Sequence, residues 1–190
     1  MNESLAIHYL EDSIASLRAY KKLAEKALAQ LNEDEFFITL DEEGNSVAVI
    51  MKHIAGNLRS RFTDFLTTDG EKPDRNRDGE FEMAAPASRE QLVAWWDAGF
   101  ATVLASIEAL APEDLDRTVY IRQEAFLALE ALNRSATHTA YHVGQIVYLA
   151  KLWVGGGWDS LSIPMGQSAV FNARLAASKA VYSATARPQK

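Results

Sequence analysis

Apolar residues recur along this chain mainly at the three-to-four-residue interval that places them on one side of a helix. Between about Asn2 and Leu31, charges separate Leu5, Leu10, Ile14, Leu17, Leu23, Leu28 and Leu31, which predicts a first amphipathic helix. Asn32 to Asn45 reads as a connector with an extended piece at Phe36 to Leu40, followed by a turn at Gly44 to Ser46 and an N-cap at Asn45 or Ser46. A second helix is expected from about Val47 to Leu66, with Val47, Ile50, Ile54, Leu58, Phe62 and Phe65 as its buried stripe.

Thr67 to Ala87 carries Gly, Pro, Asp and Asn without helical periodicity and reads as a long loop. A helix of about 20 residues is roughly 30 Å long, and an extended loop of this size can cross that distance. The next helix can therefore run parallel to the second, as in bundles with one long crossover. Ser88 and Gln91 form a capping-box pattern for a third helix that continues through Leu92, Trp95, Trp96, Val103, Leu104 and Ile107 to Leu110 and stops at Pro112. Arg117 to Arg122 suits one short extended segment but not a sheet. A fourth helix should occupy about Ala125 to Trp153 and end at Gly155 to Gly157. Ile163 and Phe171 are expected to pack on the bundle. The fold class is thus all-α: a four-helix bundle over residues 1–172 and a C-terminal tail over 173–190.

Composition narrows the partners. The 190 residues suit one domain. The formal charge of −7 repels phosphate backbones and anionic membranes, which argues against nucleic acid and membrane partners. Cysteine is absent, so neither a disulfide nor a zinc–thiolate site can form. The acidic start MNESLAIHYLED lacks the pattern of a signal peptide, and a cytoplasmic location is expected.

Histidine placement changes the picture most. His138 and His142 lie four residues apart, on a face that reads Ala131, Ser135, His138, His142, Gln145, Leu149, Leu152. Residues so spaced share one side of a helix. His53 stands at the margin of the second helix's apolar stripe and can look inwards, whereas His8 reads as a surface residue. Three neutral imidazoles with an open position can hold a catalytic divalent ion. The rival reading is histidines satisfied by core hydrogen bonds or lying on the surface. A di-iron site needs Glu-x-x-His, but Ser135, Thr139 and Ile50 precede the three histidines by three. A zincin needs Glu after its first histidine, and Thr139 stands there. The remaining role for the ion is that of a Lewis acid acting on bound water or on a thiol from a small cosubstrate. Zinc is the default for such a nitrogen-rich site; nickel, iron and manganese are compatible.

Asn57, Gln145 and Tyr141 could touch substrate or hold water near such an ion, and Tyr148 is a similar candidate. Arg59 and Arg77 could bind an anionic group. The same stretch interleaves Arg61, Lys72 and Arg75 with Asp64, Asp69, Glu71, Asp74 and Asp78, so internal pairing is the alternative. Trp95 and Trp96 read as core together with a dimer or pocket contact.

Three blocks carry a resemblance: Lys52 to Phe81 (KHIAGNLRSRFTDFLTTDGEKPDRNRDGEF), Thr137 to Lys151 (THTAYHVGQIVYLAK) and Leu161 to Asn172 (LSIPMGQSAVFN). They resemble a bacterial subfamily of the DinB-like, or YfiT-like, superfamily. That resemblance implies an up-down-down-up four-helix bundle with a divalent metal on His53, His138 and His142. Relatives include thiol-dependent transferases and metal-dependent hydrolases. Asp74 and Met165 depart from the pattern, where an aromatic and a basic residue are expected. The resulting expectation is a homodimeric metal-dependent hydrolase or thiol-dependent S-transferase acting on a small molecule. The alternative is a non-catalytic metal-binding or interaction protein of a stress response.

Overall fold

The computed structural model describes residues 2–82 and 87–177; the expected tail beyond residue 177 lies outside them. The chain is mostly helical: α1 (Glu3–Leu28), α2 (Glu33–Phe37), α3 (Val47–Phe62), α4 (Arg89–Glu108), α5 (Ala128–Val154) and α6 (Ser168–Ala177), with one antiparallel pair of strands, β1 (Thr118–Ile121) and β2 (Glu124–Leu127). A division between Gly156 and Gly157 separates two compact units. Within the first, α3 packs on α4 and α5, and α1 packs on α5 and α4, so the four long helices contact one another in a closed ring. No helix among the described residues is long and apolar enough to cross a membrane.

The apolar stripe of α3 is buried along its whole length, and Ile50, Ile54, Leu58 and Phe62 face the interior as their spacing demands. Ser46 caps α3, its hydroxyl accepting from the Val49 N–H at 3.2 Å. Ser88 and Gln91 form the expected reciprocal cap on α4. The buried side of α1 differs in detail: Ala6, Ala24 and Ala27 are inside with Leu10, Leu17 and Leu28, while Leu5 is exposed. Small side chains there let α1 lie close to its neighbours.

Several local expectations are corrected. Phe36 does not begin an extended piece; it lies in α2, which Asn32 and Glu35 cap reciprocally. Helix α3 stops at Phe62, earlier than Leu66, and Asp64 follows with φ of 50°. Thr118 to Ile121 does enter a sheet, because the chain from Glu124 to Leu127, which includes the expected start of the fourth helix at Ala125, folds back as β2. The turn between the strands uses Arg122 and Gln123 at φ of 55° and 66°, a left-handed pair usually supplied by Asn-Gly. Asp69 substitutes for that missing signal. Its carboxylate accepts from the N–H groups of Arg122 and Gln123 at 2.8 and 2.7 Å. Ile163 and Phe171 belong to the second unit.

The long segment between α3 and α4 is pinned to α3. Lys52 donates to the carbonyls of Gly79 and Glu82 at 2.6 and 2.8 Å, clamping a single 3-10 turn at Asp78–Glu80. Ser60 donates to the Gly70 carbonyl at 2.7 Å and accepts from the Lys72 N–H at 3.1 Å.

Candidate metal centre

His53 comes from the middle of α3, His138 and His142 from successive turns of α5. The packing of α3 on α5 turns all three rings to one point, with a ligating atom from each within 4.8 Å of the others. The Nε2 of His138 lies 3.2 Å from the Nε2 of His53 and 3.2 Å from that of His142. His53 is 4% exposed, and its ring stacks on Phe81 with centroids 4.7 Å apart.

The outer nitrogens decide the protonation of the inner ones. His53 Nδ1 lies 2.8 Å from Glu80 Oε2, and a carboxylate only accepts, so the proton sits on Nδ1. His142 Nδ1 lies 2.7 Å from Gln145 Oε1, while the Gln145 amide nitrogen donates to Tyr141 Oη at 3.1 Å. This orientation makes His142 Nδ1 a donor as well. With the proton on its remote nitrogen, each of these two rings in its neutral form presents a lone pair at Nε2 towards His138. Burial, with help from the neighbouring imidazoles, Arg75 and Arg61, pushes His138 down to about 3, so it is neutral near pH 7. Burial likewise lowers His142. A neutral His138 has one N–H and can satisfy at most one of the two facing lone pairs. A cation at the shared point satisfies all three, so the donor set fits a divalent ion bound through imidazole nitrogen.

Glu80 is the functional residue that sequence reasoning missed. It is 6% exposed at the end of the 3-10 turn and receives Arg75 Nε and Nη2 at 2.8 and 2.9 Å. Burial by itself would raise its carboxyl, but the bonds from His53 and Arg75 hold it below the usual carboxylate range. Such a carboxylate fixes the tautomer and direction of a ligating histidine. Gly56 makes room for it: a Cβ there would lie 2.3 Å from Glu80 Oε1. An acid in an irregular charged loop has no periodicity to betray it; the sole signal was the length of that loop.

A cavity of about 590 Å³ adjoins the histidines and is lined by His53, His138, Asn57, Arg77 and Tyr141 among others. Gln145 lies behind His142, against Tyr141. Arg59 is elsewhere: it pairs with Asp74 and lines a separate cavity beside Trp95.

The sequence from residue 4 to 167 matches the family profile described as protein of unknown function, DUF1572. The chain belongs to this family. The DUF1572 match includes all three histidines together with Glu80 and Gln145. No curated protein and no solved structure matches the chain.

Proposed function

We propose that this DUF1572 protein is a DinB-like metal-dependent enzyme, a four-helix bundle of up-down-down-up topology that holds one divalent ion on His53, His138 and His142 and takes a small-molecule substrate in the adjoining cavity. The observation that carries this reading is the meeting of three imidazole Nε2 atoms at one point, where a neutral His138 can satisfy at most one of its two neighbours. Zinc is the proposed ion, on the preference of open nitrogen-rich sites. A bound divalent ion would supply Lewis acidity, lowering the pKa of water or of a thiol.

The chain's own residues prepare the site. Glu80 and Gln145 hold the rings of His53 and His142 in one tautomer, and Arg75 neutralises the buried carboxylate. Phe81 covers one side of His53 and keeps water from it. Among the described residues, those lining the cavity include no carboxylate to accept a proton from water. This favours thiol-dependent transfer over hydrolysis, because a thiol loses its proton near pH 8.5 without a strong base. The cavity beside the histidines also favours an enzyme over a closed structural metal site.

The test is metal analysis on protein purified without an affinity tag, after exposure to zinc, nickel, iron and manganese in turn. One ion per chain is expected, with His142→Ala losing the ion while retaining its helical circular dichroism. Absence of bound metal under every condition, or an unchanged ion content in His142→Ala, would refute the proposal.

A further inference from the structure

The cavity beside the histidines carries an unusual charge pattern for a chain of net charge −7. Five of its lining residues are arginines, Arg61, Arg75, Arg77, Arg122 and Arg134, and among the described residues none that lines it is acidic. Behind the wall, Glu71 is shared by three of them: it accepts from Arg61 at 2.8 Å and from Arg75 at 3.1 Å, and it lies 3.3 Å from Arg122. Glu80 answers Arg75 a second time. The other two are poorly matched. Arg77 lies over the Phe81 ring and 3.6 Å from Asp78, whose side chain is 92% exposed. Arg134 lies over Phe126 and has no ion pair among the described residues. Burial above all, with the charges of Arg75 and Arg122 adding to it, lowers Arg61 despite its bond to Glu71.

The rest of the wall is apolar or uncharged. Phe62, Phe65 and Ile121 are buried there and Tyr120 stands beside them. Ser135, one turn before His138, is 6% exposed, and its hydroxyl has no partner among the described residues. A volume of about 590 Å³ accommodates a small organic molecule.

We infer that the substrate is an amphipathic small-molecule anion, whose carboxylate or phosphate is held by Arg77 and Arg134 while its apolar body lies on Phe62, Phe65 and Ile121 beside the histidines. This rests on the reading of the histidine cluster as the reaction centre. Guanidinium forks suit such groups because two parallel N–H bonds meet two oxygens. The phenyl rings under Arg77 and Arg134 keep those forks extended without neutralising them.

The test uses calorimetric titration of the full chain with benzylsuccinate and with its neutral diamide, as purified and again after chelation. Chelation removes direct binding of carboxylate to metal, and metal analysis of the same samples reads the histidine site separately. The dicarboxylate should bind at least about tenfold more tightly than the diamide in both states, weakening with added salt. Arg77→Gln and Arg134→Gln should each weaken it about tenfold without changing metal content. Equal binding of the two probes, binding of neither, a preference that vanishes on chelation, or unaltered binding in both variants would overturn the inference. A chain that binds no metal but keeps the preference would refute the metal reading and leave the anion site standing.

Discussion

At the scale of single residues, the centre depends on groups that never reach the shared point. Glu80 orients His53 from behind, and its own charge is tolerated in a nearly dry position because Arg75 meets it with two bonds. Glu80→Gln keeps the volume but lets the amide offer either a donor or an acceptor to His53 Nδ1, so the tautomer is no longer fixed. Metal affinity should fall about 10- to 100-fold, measured by competition with a chromophoric chelator, while the far-ultraviolet circular dichroism is unchanged. The histidines were legible because i, i+4 spacing is a property of one helix and a third histidine sat at the edge of another stripe. Glu80 was not, since its role arises only when a segment without periodicity folds back over α3.

At the scale of elements, α3 and the segment that follows it meet at Gly56. The carboxylate is fixed by His53 and Arg75, so a new methyl group 2.3 Å away cannot be avoided by a simple rotation. Two effects oppose each other in Gly56→Ala. Alanine favours a helix by about 1 kcal/mol, whereas overpacking a filled site costs about 1 to 3 kcal/mol. The clash should win, giving a lower Tm on thermal unfolding and a loss of metal affinity comparable to that of Glu80→Gln. The long helices were readable from periodicity; Ser46, one of the two expected N-cap candidates, caps α3, and Ser88 caps α4 as expected. The hairpin was hidden because its turn takes its stability from Asp69, more than fifty residues earlier in the chain, and Arg122-Gln123 carries no local turn signature.

At the scale of the whole molecule, the lowered His138 and His142 link folding to pH. His138 is lowered to about 3, against about 6.5 in an unfolded chain. Above that higher value neither state holds the proton, and the shift has no effect. As pH falls below it, the unfolded chain binds a proton that the folded one refuses, so stability drops until the folded pKa is reached. His142 is lowered as well and acts in the same direction. The Tm of the metal-free chain should therefore be flat near neutrality and decline between about pH 6.5 and 5, where exposed carboxylates remain ionised. Scanning calorimetry across this range checks the trend, and a His138→Phe chain should show a shallower decline. An identical slope in that variant would mean that the cluster is not what titrates.

Asp69 leaves a further mark on the molecule. By clasping the backbone of residues 122 and 123, it ties the segment bearing Arg75 and Arg77 to the hairpin bearing Tyr120 and Arg122. Together with the Gly70 N–H donated to the Tyr120 carbonyl and the Glu71–Arg122 pair, this moors two walls of the cavity to each other. The breadth of the chamber is thereby set in advance by the backbone, and what is left to swing is individual side chains.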